Sequence, residues 1–225
     1  MPLTTWPTRL EKISPHIWQV RLSRFTAVHV WLVADAGGLT LVDSGFWFMA
    51  HDLLTAVEAV EAGPLQRVLL THGHPDHAGG APLIAREWHV PVYAHRLELP
   101  FLEGERAYPR ISRLFQPSHK GLARALLERA DGTLEPLGGL TPWLAPGHTP
   151  GHVVYQHEQD GVLLAGDLFK ARKGELHHLG HLYSVDRGQA ARSERILERL
   201  EPSRVETSHG GSALLDGRFE FTVQE

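Results

Sequence analysis

Seven consecutive residues, Thr71-His72-Gly73-His74-Pro75-Asp76-His77, put four metal-ligand side chains into one short stretch directly after the apolar run Arg67-Val68-Leu69-Leu70. A run of that kind reads as a buried strand, so the four groups must sit where a strand gives way to a loop. The glycine and proline between them can turn His72 and His74 toward one point and Asp76 and His77 toward another. Two neighbouring metal ions would satisfy both pairs, whereas the plain alternative is a histidine-rich surface loop. Three more ligand-type residues each end a predicted strand beside glycine: His148 in PGHTPGH, Asp167 in LLAGD and His209 in TSHGG. Side chains at strand ends can converge at one sheet edge.

Composition narrows the chemistry. The chain has no cysteine, so disulfides and thiolate ligands are excluded and a metal must be held by imidazole and carboxylate. Sixteen histidines in 225 residues exceed what packing alone suggests. A formal charge of −4 argues against a broad grip on nucleic acid, which needs a concentrated surplus of Lys and Arg. An apolar fraction of 42% and a charged fraction of 21% are ordinary globular usage, and a chain this long fits one domain, 1–225. The start does not read as a signal peptide and no run approaches bilayer length, so a cytoplasmic protein with no membrane partner is expected.

The hydrophobic pattern predicts three short strands between His16 and Asp43, then a helix over Ala50–Ala62 stopped by Gly63-Pro64. After the strand at 67–72 come a helix over Ala78–Trp88 and the strand 90–95. Residues 96–140 show no clear alternation and are expected to be helix and loop. Strands follow at 142–145, 153–158 and 162–167. Next is a helix over Asp186–Leu200 with a capping box at Asp186 and Gln189, and a last strand begins at Arg204. Strands and helices mixed in both halves suggest an α+β fold of sheets covered by helices.

The series THGHPDH, His148, Asp167 and His209, in that order, resembles the metallo-β-lactamase superfamily, and the resemblance covers nearly the whole chain. Val42-Asp43-Ser44-Gly45 is similar to the segment that the superfamily places beneath its metals. The resemblance implies a four-layer αβ/βα sandwich with the metals at the sheet edge. It puts His72, His74 and His148 on one metal, Asp76, His77 and His209 on a second, and Asp167 between them. A carboxylate suits the bridge, because its two oxygens can span two cations and its charge reduces their repulsion. Two metals about 3.5–4 Å apart lower the pKa of a shared water toward about 7, giving a hydroxide nucleophile without Ser or Cys, with Asp76 and Asp167 as catalytic carboxylates.

The implied activity is a glyoxalase II-like metal-dependent hydrolase acting on an ester, thioester or lactone-type small molecule. Its cofactors would be two divalent ions, Zn above all, with Fe or Mn as alternatives. A mononuclear iron persulfide dioxygenase is the rival reading, with phosphodiester or β-lactam hydrolysis behind it. Class B β-lactamases generally lack the bridging aspartate, and the superfamily's RNA-cutting members carry large additions. Lactonases place a tyrosine shortly after the bridge, where Leu168, Phe169 and Lys170 stand here.

Other residues invite a role beside a plain reading. Asp43 either accepts a hydrogen bond from a ligand histidine or is a turn aspartate. His152 opens a strand and reads as structural rather than as a ligand. Lys170 and Arg172 either meet an anionic substrate or form a solvated basic face. His178, with His177 and His181, either lines the substrate entrance or belongs to a polar loop. The long segment 101–140, carrying Phe101, Tyr108 and Phe115, is expected to be a partly helical flap whose aromatics form one pocket wall.

Overall fold

The computed structural model describes residues 8–23, 27–109, 111, 114, 116–179 and 184–215; Phe115 and His181 lie outside them. The first sheet runs in sequence order through β1 (Arg9–Lys12), β2 (Ile17–Ser23), β3 (Ala27–Asp35), β4 (Gly38–Val42), β5 (Leu65–Leu69), β6 (Val92–Ala94) and β7 (Ala123–Ala125). Its first four strands form an antiparallel meander, and the last four are parallel. The second sheet is built from β8 (Thr141–Leu144), β9 (Val153–His157), β10 (Val162–Leu164), β13 (Arg204–Thr207) and β14 (Gly211–Leu214), in the order β14-β13-β10-β9-β8. A separate hairpin, β11 (Phe169–Arg172) and β12 (Glu175–His178), follows β10.

Period-two alternation decides which layer each side chain joins. Val30 and Leu32 of β3 pack outward with Leu53, Ala56 and Val57 of α1 (Ala50–Ala59) and Ile84 of α3 (Ala81–Trp88). Trp31 and Val33 of the same strand face inward and meet Val153, Tyr155, Val162 and Leu164 of the second sheet. On the far side, Val154, Leu163 and Val205 pack with Leu197 of α6 (Ile196–Leu200). Each of these side chains is shielded from water, and burying one aliphatic side chain of this size contributes about 1.5–3 kcal/mol. The layers therefore read helix, sheet, sheet, helix, which is the expected sandwich.

Several elements differ from expectation. The region 96–140 holds a short helix, α4 (Leu99–Leu102), but also strand β7, which extends the first sheet; its sequence Ala-Arg-Ala gives no apolar alternation to read. Strands β1, β14 and the β11–β12 hairpin are likewise additional. The helix expected over 186–200 starts on its capping residue, Asp186 Oδ1 accepting from the Gln189 N–H at 2.9 Å. It is interrupted at Arg195 into α5 (Arg187–Glu194) and α6. The helix expected from Ala78 is two pieces, a single turn α2 (Pro75–Ala78) and α3. Among the described residues, no helix is long and apolar enough to cross a membrane.

This topology positions the site. Asp43 follows β4, His72 follows β5, His148 follows β8, Asp167 follows β10 and His209 follows β13. Since β4 and β5 are parallel, as are β10 and β13, and β8 reaches β10 through two antiparallel steps, these loops all leave the carboxyl ends of strands. Cross-sheet hydrogen bonds hold the two edges together: Val153 N–H donates to Thr71 O at 2.9 Å and His29 N–H to Ser208 O at 3.0 Å.

Candidate metal centre

Three groups of side chains meet at that edge: His72 with His74 and His148, His72 with His77 and Asp167, and Asp76 with His77 and His209. His148 Nε2 stands 3.1 Å from His72 Nε2 and 3.0 Å from His74 Nδ1. Nitrogens on a tetrahedral zinc, with bonds of about 2.0–2.1 Å, stand about 3.3 Å apart. Asp167 reaches both poles, with Oδ2 3.4 Å from His148 Nε2 and 3.5 Å from His77 Nε2, and Oδ1 3.6 Å from His209 Nε2. Asp76 Oδ2 lies 3.1 Å from His209 Nε2 and 3.6 Å from His77 Nε2.

The hydrogen bonds at the back of the rings decide what the front can bind. His77 Nδ1 faces Asp43 Oδ2 at 2.8 Å, and His209 Nδ1 faces the Ala27 carbonyl at 3.3 Å. Both partners only accept, so each Nδ1 carries a hydrogen. Thr71 Oγ1 donates its own proton to Asp43 Oδ2 at 2.8 Å and therefore accepts from His72 Nδ1 at 3.1 Å. The Nε2 atoms of His72, His77 and His209 are thereby turned toward other nitrogens and toward carboxylate oxygens. Among buried atoms, His77 Nε2 and Asp167 Oδ1 make no hydrogen bond, although buried polar atoms almost always find one. Divalent cations fit this donor set, because each Nε2 lone pair would gain a ligand bond.

A fourth group of possible ligands, His16, His157 and Asp160, supplies the contrast. There Asp160 accepts from Ser14 Oγ at 2.5 Å, His16 N–H at 3.0 Å and His16 Nδ1 at 2.8 Å, while its own N–H donates to His157 Nδ1 at 3.2 Å. Its polar atoms satisfy one another, which makes it a tie between the first hairpin and the β9–β10 turn.

Electrostatics separates the two poles. Burial, reinforced by the neighbouring imidazoles, holds His72 well below the usual histidine range, and burial with His148 holds His74 down at about 3. These rings are neutral and ready to ligate. Burial also opposes charge on His77 and His209, but Asp167 and Asp76 outweigh it and raise both. Burial alone would raise the carboxyls, yet His77 and His209 overcome it, placing Asp76 at about 2 and Asp167 well below its ordinary value.

Supporting residues complete the frame. Asp43 also accepts the Thr71 N–H at 2.8 Å through Oδ1, and it sits at φ 61°, a conformation uncommon outside glycine but best tolerated by Asp and Asn. His152 is fully buried and accepts the Asp167 N–H on Nε2 at 3.1 Å, so it fixes the backbone of Asp167. Glu98 and Tyr108 were not singled out as a pair in the sequence. Both are buried, Glu98 accepts from the Gly73 N–H at 3.1 Å and the Gly151 N–H at 2.7 Å, and the Tyr108 hydroxyl donates to it. A lone Glu in an irregular stretch carries no sequence signal for such a role.

The outer candidates are divided by the β11–β12 hairpin. Lys170 and Arg172 alternate with buried Phe169 and Ala171 and are exposed, while His178 pairs with Phe169 on the other face. Its Nδ1 lies 2.5 Å from Glu194 of α5. Lys170 and Arg172 therefore lie on one face of the hairpin and His178 on the other, because cross-strand partners share a face and alternate residues do not. Phe101 and Tyr108 are also buried, and Tyr108 packs edge-on against His74 with ring centroids 4.7 Å apart. They support the metal loop from within.

Comparison with known proteins agrees with this geometry. The family model for the metallo-beta-lactamase superfamily matches residues 23–209. The probable metallo-hydrolase YybB of Bacillus subtilis is 34% identical over 209 residues, covering 91% of this chain and 92% of that one. A hydroxyacylglutathione hydrolase of Halorhodospira halophila is 27% identical over 219 residues, covering 78% and 71%. Among solved structures, TTHA1623 in a di-iron-bound form is similar at 29% identity with a TM-score of 0.69, covering 87% of this chain and 93% of that one. A metallo beta lactamase from Erythrobacter litoralis matches at 18% identity with a TM-score of 0.73, covering 95% and 93%, which bears on fold. With residues 23–209 matched and the His/Asp clusters assembled at the sheet edge, this chain belongs to the metallo-beta-lactamase superfamily.

Proposed function

We propose that the chain is a dinuclear metal-dependent hydrolase of a small ester, thioester or lactone. The observation that carries this is the convergence of the His72, His77 and His209 Nε2 atoms with the Asp76 and Asp167 carboxylates, each Nδ1 being committed to an acceptor behind it. His72, His74 and His148 would hold one ion, Asp76, His77 and His209 the other, and Asp167 both. The ions would supply Lewis-acid polarisation and an acidified water, and zinc is the first choice, with iron or manganese as alternatives.

The chain's own part is positioning and proton handling. Asp167 compensates charge between the two poles. Asp76, ionised at neutral pH and only partly enclosed, is available to take a proton from the attacking water and return it to the leaving group. Asp43 and Thr71 fix the ring orientation of His77 and His72. Lys170 and Arg172, exposed on the hairpin three and five residues beyond Asp167, would attract an anionic substrate group. Tyr108, packed edge-on against His74, would steady the histidine loop from the segment after α4.

The name of the Halorhodospira halophila relative supports thioesters as the first substrate class to try. The test is initial-rate hydrolysis of a panel of esters, thioesters and lactones before and after chelation, with restoration by Zn, Mn or Fe. Metal-restored cleavage of one class is expected. A single iron per chain with oxygen consumption on a persulfide would overturn hydrolysis in favour of dioxygenation.

A further inference from the structure

Glu98 is a carboxylate enclosed in protein, and among the described residues no Lys or Arg forms an ion pair with it. It opens helix α4 and is shielded from solvent. Removing a carboxylate from water without a cation costs several kcal/mol, so the hydrogen bonds it accepts must compensate. They include bonds from three separate places: Gly73 N–H from the loop between β5 and α2, Gly151 N–H from the loop between β8 and β9, and the Tyr108 hydroxyl from the segment after α4. Gly73 lies between His72 and His74, and Gly151 lies three residues after His148 and one before His152.

Both glycines are required by the closeness of this contact. A Cβ on Gly73 would collide with the Tyr108 hydroxyl and come within 2.8 Å of Leu102 Cδ2. One on Gly151 would stand 2.8 Å from the Glu98 backbone nitrogen and 2.9 Å from its Cγ. Tyr108 is itself held at both ends. Its N–H donates to Gln116 Oε1 at 2.8 Å, its carbonyl accepts from Gln116 Nε2 at 2.9 Å, and its ring lies against Phe101 at 4.8 Å as well as against His74.

We propose that Glu98 is a positioning residue that locks the loop carrying His72 and His74 to the loop carrying His148, with Tyr108 completing its hydrogen bonds and setting the tilt of the His74 ring. The inference rests on the metal reading for what these three histidines hold. It adds that one buried carboxylate, remote from the second pole, governs the geometry of the first. Hydrogen-bonded groups behind metal ligands typically change metal affinity about 10–100-fold when removed.

Cobalt titrations of Glu98→Gln and Tyr108→Phe test this, each in a His209→Ala background that leaves the three-histidine pole and in a His148→Ala background that leaves the other. Glu98→Gln is expected to weaken cobalt binding about 10–100-fold at the three-histidine pole, with the other pole changed by less than about threefold. Tyr108→Phe keeps the ring and is expected to show the same asymmetry at smaller size, so it serves if Glu98→Gln does not fold. Hydrogen exchange on metal-free protein gives an independent readout: the Gly73 and Gly151 amides should exchange at least about tenfold faster in Glu98→Gln than in the unsubstituted chain. Equal weakening at both poles, or unchanged cobalt affinity and amide protection, would overturn the proposal. Failure of the functional reading looks different, as absence of cobalt uptake by the unsubstituted chain itself.

Discussion

Asp43 Oδ2 lies 2.8 Å from His77 Nδ1, with both side chains fully closed off from solvent. The same carboxylate receives two hydrogen bonds from Thr71, so one residue ties the end of β4 to the start of the histidine loop. Asp43→Asn keeps a residue that tolerates φ 61° but removes the charge that orients His77. The expected result is a folded chain with metal affinity at the Asp76, His77 and His209 pole lowered about 10–100-fold, read by competition with a chromophoric chelator.

Proton release should distinguish the two poles. His77 and His209 are raised above 6.5, while His72 is held well below it and His74 at about 3. The raised values favour protonated His77 and His209 rings in the metal-free protein, whereas the lowered values keep His72 and His74 neutral near pH 7. Metal uptake at the Asp76, His77 and His209 pole should release more protons, and weaken more as pH falls, than uptake at the pole built on His72 and His74. In the metal-free chain the sign for stability follows the raised groups: His77 and His209 contribute fully below 6.5, and that contribution is lost as pH rises through their folded values. Calorimetry in buffers of different ionisation enthalpy measures the protons, and equal release at both poles contradicts the assignment.

Asp167→Ala and His152→Ala should fail differently. Removing Asp167 deletes the group that faces both poles, so hydrolysis should vanish and metal content should drop. His152 touches Asp167 only through the backbone amide, but it is fully buried, and its loss leaves a cavity and an unpaired N–H. His152→Ala is expected to cost about 2–4 kcal/mol of stability while the folded fraction still binds metal. Denaturant midpoints and metal analysis on the same samples separate the two effects.

His72, Asp167 and His209 could be placed at one edge from sequence because each follows a strand whose apolar pattern is clear. RVLL, VLLAGD and RVETSH announce buried strands, and the chemistry stands at their ends. The layers were equally visible, since Val30, Trp31, Leu32 and Val33 alternate between two cores. What remained hidden depends on distant contacts. Strand β7 has the sequence Ala-Arg-Ala and exists because β6 offers it an edge. Glu98 looks like any acidic residue until α4 turns it inward between two loops, and His152 reads as a structural residue until the fold places its Nε2 beneath the Asp167 amide. The hairpin at 169–178 hid the separation of His178 from Lys170, which only register reveals.

Charge reversal on the hairpin tests the outer wall. Lys170 and Arg172 are exposed on one face, so Lys170→Glu with Arg172→Glu should leave folding and metal content unchanged. For an anionic substrate, KM should rise about tenfold, with the effect shrinking as salt screens it. A neutral ester should show no change. Equal effects on both substrates would remove these residues from recognition.

If the edge of this sandwich holds two metal ions, three histidines on one, Asp76, His77 and His209 on the other, and Asp167 between, the metal content of the chain must show it. Elemental analysis of purified protein, repeated after stripping and reconstitution with Zn, Mn or Fe, measures that content. Two ions per chain are expected, falling to one in His148→Ala and in His209→Ala. A reproducible maximum of one ion per chain under excess metal would contradict it.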